Sequence, residues 1–133
     1  MSNREPHLVT DPKLADVLTE LVQRELIFHR PACGTTRANF ERMTDATFWE
    51  VGASGRRYGR EYALDVLERR EAQQAEDTWQ THDFQLLEIA ADNYLLTYTL
   101  SQGARVTRRS TIWRRTVQGW KTVYHQGTVV EDR

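Results

Sequence analysis

The stretch RVTRRSTIWRRTVQGWKTVYHQGT, from Arg105 to Thr128, constrains this chain more than any other. β-Branched and aromatic residues recur on both sides of Thr116-Val117-Gln118-Gly119. Such side chains suit a pleated, half-buried surface. Gly119 supplies the backbone freedom that a tight turn needs. The spacing predicts a long β-hairpin centred on Val117-Gln118. Counting outward from that turn sets Trp113 opposite Thr122, Ser110 opposite His125 and Arg109 opposite Gln126. Because side chains alternate along a strand, one face carries Arg109, Thr111, Trp113, Trp120, Tyr124 and Gln126. This bulkier face is expected to meet the core. The other carries Arg108, Ser110, Ile112, Arg114, Lys121, Val123 and His125 and suits solvent or a subunit partner. A bulge in either strand would re-aim the side chains beyond it.

The residues before this hairpin predict helices first and strands later. Residues 1–10 read as a flexible N-terminal arm, and 11–133 as a single domain. Asp11 and Pro12 have the cap and first-position chemistry of a helix start. Leu14, Val17, Leu18, Leu21 and Val22 form a stripe at three- and four-residue spacing, continued by Leu26, Ile27 and Phe28 as far as Pro31. A turn at Ala32-Cys33-Gly34 precedes a short helix capped by Thr35 or Thr36 and running to about Met43. Thr47 to Val51 and Arg57 to Gly59 form a short hairpin around Gly52-Ala53-Ser54-Gly55. A third helix covers about Arg60 to Gln74, with Tyr62, Ala63, Val66 and Leu67 facing inward. Period-two segments follow from Thr78 to Ala90 and from Tyr94 to Leu100. Helices followed by strands read as α+β. The expected architecture is three N-terminal helices packed in a strongly curved mixed, mainly antiparallel sheet, a cone-shaped α+β barrel with a pocket at its mouth.

Charge and cysteine usage narrow the function classes. The formal net charge is −1, so no global field advertises nucleic acid or an anionic membrane. Cys33 is the single cysteine, which suits a reducing compartment. The polar start MSNREPHLVT lacks the apolar centre of a signal peptide. No apolar run approaches the ~20 residues of a membrane helix. The expectation is a cytoplasmic protein without nucleic-acid or membrane partners. His7, His29, His82 and His125 are scattered without ligand spacing, so no metal and no cofactor are expected.

Three motifs carry a family resemblance. Phe48-Trp49-Glu50-Val51-Gly52-Ala53-Ser54-Gly55 fits a Phe-x-Glu-x-Gly-x-Ser-Gly pattern in the short hairpin. Arg109-Ser110-Thr111-Ile112-Trp113 fits Arg-Ser-x-x-Trp, and the last strand closes on His125-Gln126-Gly127-Thr128. Together with the order of elements, these resemble the nuclear transport factor 2-like superfamily, which includes ketosteroid isomerases and SnoaL-like polyketide cyclases. Closer still is an uncharacterised, mostly bacterial branch whose last strand ends in His-Gln-Gly-Thr. The resemblance implies a cone fold, a homodimer through the outer sheet face and a small-molecule pocket. It does not imply one reaction, because such folds host enzymes and binding modules alike.

The candidate catalytic residues are Glu50 and His125. A carboxylate in an apolar pocket has a raised pKa and serves as general acid or base. The competing reading of Glu50 is an ion pair with Arg109. His125 titrates near neutrality, yet the counted register sets it beside Ser110 on the outer face, where it suits an interface. Phe48, Tyr98, Arg109, Trp113 and Gln126 are the candidate pocket residues. Arg109 has the forked geometry that receives a carboxylate, while Trp113 and Tyr98 would wall a flat ligand. The expected ligand is a small molecule, acidic or aromatic. The expected function is an isomerase, cyclase or dehydratase-type pocket, with a non-catalytic homodimeric interaction or ligand-binding module as the alternative.

Overall fold

A computed structural model describes residues 5–29, 36–73 and 79–131. Asp11 accepts a hydrogen bond from the Lys13 amide at 2.9 Å and opens a 3₁₀ turn over Pro12–Leu14. The turn runs directly into α1 (Ala15–His29). The expected stop at Pro31 and the turn at Ala32-Cys33-Gly34 lie outside the described residues. Thr36 caps α2 (Arg37–Arg42), its hydroxyl accepting from the Asn39 amide. Then come β1 (Thr44–Val51), β2 (Arg57–Gly59) and α3 (Arg60–Gln73). Four long strands complete the chain: β3 (Trp79–Ala90), β4 (Asn93–Gln102), β5 (Arg105–Thr116) and β6 (Gly119–Val129).

Among the described residues, one sheet holds six strands in the order β2-β1-β6-β5-β4-β3. Only β1 with β6 is parallel; the other neighbours are antiparallel. The sheet curves around the helices, so its inner face and the helices share one core. Leu86, Tyr94, Leu96, Tyr98, Leu100, Trp113 and Trp120 pack there with Leu21 of α1. A second cluster joins Phe40 of α2 to Leu64 and Leu67 of α3. On α3, Ala63, Leu64 and Leu67 are buried, whereas Tyr62 is 48% exposed, so the expected inward face is rotated away from Tyr62.

The terminal hairpin departs from the counted register. Thr116 pairs with Gly119 and Trp113 with Thr122, as the turn predicts. Between Trp113 and Ile112 the register then shifts, and Ile112 pairs with Tyr124. Val123 is the extra residue of a β-bulge, two residues facing one across the ladder. Every pair beyond it moves by one: Thr111 with His125, Ser110 with Gln126, Arg109 with Gly127. Two expectations are thereby corrected. His125 turns to the inner face, and Tyr124 with Gln126 turns to the outer face. There the Tyr124 ring meets Trp49 with centroids 4.8 Å apart, and its hydroxyl donates to Gln126.

The described part of the N-terminal arm lies against the sheet. The Thr10 hydroxyl accepts from the Leu86 amide, the Val9 carbonyl accepts from Gln85, and Glu5 pairs with Arg108 at 3.1 Å.

Candidate functional site

Between the inner face of the sheet and α1 and α3 lies a cavity of about 320 Å³. Its rim is its exposed part, Arg105 and Tyr62, with the half-buried Gly52-Ala53 turn beside them. Tyr58 and Tyr62 stack there, with centroids 4.6 Å apart and planes 12° from parallel. Its depths are lined by buried Glu25, Thr44, Phe48, Thr111 and Thr122. Glu50, Arg109, His125 and His29 stand between rim and depths. Val66, Leu67 and Phe28 supply apolar wall. A volume at the small end of ligand sites suits a compact ligand.

The chemistry centres on Glu25, a carboxylate 2% exposed. Tyr98 and Thr111 donate their hydroxyls to its Oε2 at 2.6 and 2.8 Å. Trp113 donates its indole N–H to Oε1 at 2.9 Å. Burial pushes the Glu25 pKa up, because the charged form loses hydration; these three bonds and the Arg109 charge act in the opposite direction. Burial, with the neighbouring Glu25 charge, raises the Tyr98 pKa well above that of an ordinary phenol. A carboxylate with three donors fits the rule that buried polar groups are satisfied.

The donors also fix the direction of a longer chain of bonds. Thr111 has one hydroxyl proton and gives it to Glu25, so it accepts from His125 Nδ1 at 2.7 Å. Arginine has no acceptor, so Arg109 Nη1 donates to His125 Nε2 at 3.2 Å. With Glu25 ionised, this chain of bonds sets the His125 proton on Nδ1. Tyr98 likewise gives its proton to Glu25 and accepts from His29 Nε2 at 2.5 Å. Two imidazoles, with ring centroids 6.3 Å apart, thus share one buried carboxylate. The Nδ1 of His125 is itself 3.6 Å from Glu25 Oε2.

The residues predicted from sequence divide between this site and its surroundings. Phe48, Glu50, Arg109 and His125 line the cavity. Glu50 and His125 are ladder partners on neighbouring strands, so their side chains stand side by side. Strand β6 lies between Glu50 on β1 and Arg109 on β5, separating their backbones by about 10 Å. Arg109 donates to Thr107 at 3.0 Å and to His125 at 3.2 Å. Trp113 and Tyr98 do not line the cavity; they are buried behind it and hold Glu25. Gln126 lines a separate, open groove under the N-terminal arm, on the far side of the sheet.

Glu25, Thr111, Thr122 and His29 were not anticipated. Glu25 carried a readable signal: it falls four residues after Leu21, on the apolar stripe of α1, where a carboxylate is out of place. Thr122 carried none; only in the folded structure does its buried hydroxyl line the cavity and meet no hydrogen-bond partner among the described residues. Among the described residues no cluster of three or more His, Cys, Asp or Glu side chains is arranged to hold a metal ion. Among them, too, no helix is long and apolar enough to cross a membrane.

No protein-family profile matches the chain, and no curated protein matches it in sequence. Solved structures do match. A Caulobacter vibrioides protein described as uncharacterised, with a cystatin-like fold, superposes with a TM-score of 0.67 at 16% identity, over 85% of this chain and 89% of that one. A nuclear transport factor 2-like protein from Rhodospirillum rubrum, described as of unknown function in nutrient uptake, gives 0.63 at 16% identity over 89% and 98%. A nuclear transport factor 2-like protein from Cytophaga hutchinsonii gives 0.64 at 11% identity over 91% and 100%. The chain has the nuclear transport factor 2-like fold. At these identities the likeness speaks to architecture alone. In this fold the cavity occupies the space between helices and concave sheet, and its polar residues come from α1, β1, β5 and β6.

Proposed function

We propose that this protein binds a compact small molecule in the cone and acts on it by proton transfer, in the manner of an isomerase, cyclase or dehydratase. The observation that carries this reading is the orientation of His125. Its ring enters the cavity, its Nδ1 proton is directed through Thr111 to Glu25, and Nε2, which accepts from Arg109, is the nitrogen through which it would take a proton. A base needs that combination of a fixed tautomer and a buried carboxylate to stabilise the imidazolium. Glu50 stands beside it as the second acid–base group. The unpartnered Thr122 hydroxyl offers a hydrogen bond deeper in the cavity. Phe48 and the stacked tyrosines supply apolar and aromatic surface.

A thermal-shift series of small carboxylic acids, their neutral amides, steroids and polyketide-like aromatics tests this reading on wild type, His125→Gln and Glu50→Gln. A ligand at 100 times its Kd stabilises by about 2.7 kcal/mol, a rise of several degrees. A hit should lose its effect in at least one variant. Absence of any shift across the series, with both variants as stable as wild type, would sink the proposal.

A second reading, an interaction module, draws on the outer face of the sheet. Leu87, Leu95, Ile112, Tyr124 and Trp49 are successive ladder partners across five strands and form one apolar row. Leu87 and Trp49 in it are 52% and 44% exposed. A second copy of this chain is the occupant such a row suits, because a two-fold axis through it lays the row against itself. Light scattering that reports a monomer at micromolar concentration would remove this reading.

A further inference from the structure

We infer that Thr122 selects the ligand at the deep end of the cavity, and that it receives an uncharged oxygen, carbonyl or hydroxyl, which enters first. This rests on the small-molecule pocket proposed above and adds the ligand class and the direction in which the ligand lies.

The other buried threonines show what Thr122 lacks. Thr44, Thr99, Thr107 and Thr111 each hand the hydroxyl proton to a protein acceptor. The acceptors are the Phe40 carbonyl, the Asp83 carboxylate, the Leu100 carbonyl and the Glu25 carboxylate. Thr122 is only 3% exposed, and its hydroxyl meets no partner among the described residues. Buried polar groups are almost always paired, and an unmet hydroxyl keeps the cost of its lost hydration. The Thr122 side chain lines the cavity, so a ligand there is placed to supply the partner. The proton is the uncommitted part of this hydroxyl, and an oxygen that accepts it is the matching group.

Strand geometry fixes what else the ligand meets. Thr122 and His125 are three residues apart on β6, a spacing that puts side chains on opposite faces of a regular strand. The bulge at Val123 brings both into the cavity. The rise between them is at most about 10 Å, so a molecule held at Thr122 extends toward His125 and Glu50. Across the ladder Thr122 pairs with Thr44, which also lines the cavity. The Thr44 proton is committed to Phe40, but its oxygen can still accept. The two threonines thus offer one donor and one acceptor. A carbonyl uses the first, and a hydroxyl uses both. A charge is excluded at this end. One hydroxyl cannot replace the hydration of an anion, and Phe28, Phe48, Ala63 and Leu67 in the same lining offer no side-chain donor. The Glu25 carboxylate in the same depths opposes an anion further.

The test uses phenol and cyclohexanone as probes, with toluene and methylenecyclohexane as counterparts that keep the shape and lose the oxygen. Affinities are read from amide shifts in nitrogen-15 titrations. Phenol and cyclohexanone should each bind at least tenfold more tightly than its counterpart. Thr122→Val should bring that ratio to within twofold of unity and leave the hydrocarbons unchanged. Thr122→Ser, which keeps the hydroxyl, should restore the ratio. The larger of the two wild-type ratios tells a hydroxyl ligand from a carbonyl one. Benzoate should bind wild type and Thr122→Val equally. Urea unfolding adds a second readout: with no partner to lose, Thr122→Val should be no less stable than wild type. Equal binding of probes and counterparts, no binding by any of them, or an oxygen preference that survives Thr122→Val would overturn the assignment. So would a stability loss in Thr122→Val, which would show the hydroxyl to be satisfied in the free protein. A benzoate affinity lost with the hydroxyl would overturn the uncharged class. The oxygen preference should persist in His125→Gln and Glu50→Gln. Proton transfer can therefore fail with Thr122 upheld, and Thr122 can fail while a thermal-shift hit lost in His125→Gln upholds the pocket.

Discussion

Glu25 sets the terms at the scale of single residues. Its folded-state pKa is raised by burial, so between the ordinary carboxyl value of 4.5 and that raised value the folded protein holds a proton that the unfolded chain has released. Stability contributed by this residue therefore falls as pH rises through that window. Glu25→Gln removes the titration. Its amide has one acceptor oxygen where the carboxyl group has two to meet Tyr98, Thr111 and Trp113, and about 1–3 kcal/mol should be lost at acid pH. The melting-temperature gap between wild type and Glu25→Gln should narrow steadily as pH increases. A gap that widens would show the carboxylate to be stabilising in its charged form. Thr111→Val cuts the bridge from His125 to Glu25 while keeping the shape of the side chain. We expect about 1–3 kcal/mol of destabilisation in urea titrations, together with loss of the fixed His125 tautomer in nitrogen-15 spectra. An unchanged tautomer would show that Thr111 does not set it.

At the scale of elements, one residue in β6 decides what the cavity contains. The turn pairing was legible because Gly119 and the flanking β-branched residues define it locally. The bulge at Val123 was not, because nothing in Lys121-Thr122-Val123-Tyr124 distinguishes a strand that pairs regularly from one that takes an extra residue. Curvature of the sheet around α1 is what the bulge accommodates, and bulges increase local bend and twist. The short helix α2 is held by more local means. Thr36 caps it, so Thr36→Ala should cost about 1 kcal/mol in denaturant unfolding. Arg37, next in line, pairs with Glu41, Glu61, Asp65 and Glu68 and ties α2 to α3. These carboxylates draw the Arg37 pKa above its usual value. Because the cluster faces solvent, the loss of melting temperature in Arg37→Ala should be largest at low salt and shrink in 1 M salt, where the Debye length is about 3 Å. A salt-independent loss would indicate packing instead.

For the whole molecule, the sheet has two faces with different tasks. The concave face encloses the cavity, and the convex face carries the apolar row from Leu87 to Trp49. If a second copy covers that row, Trp49→Glu should halve the mass seen by light scattering and leave the circular dichroism of the fold intact, since the Trp49 side chain is outside the core. A dimer that survives Trp49→Glu and Leu87→Glu would place the interface elsewhere. The amino-acid sequence alone determined the α+β class, the order of elements and the inward set of Phe48, Tyr98, Arg109 and Trp113, because periodicity, caps and turn residues act within a few positions of one another. Only the tertiary structure decided that His125 faces the cavity, that Glu25 from α1 meets Tyr98, Thr111 and Trp113 from two strands, and that Arg109 lies across Gly127. Those contacts join residues as many as 88 positions apart. They depend on a bulge and on sheet curvature that no local pattern encodes, and they are settled only when the helices and the sheet close on a common core.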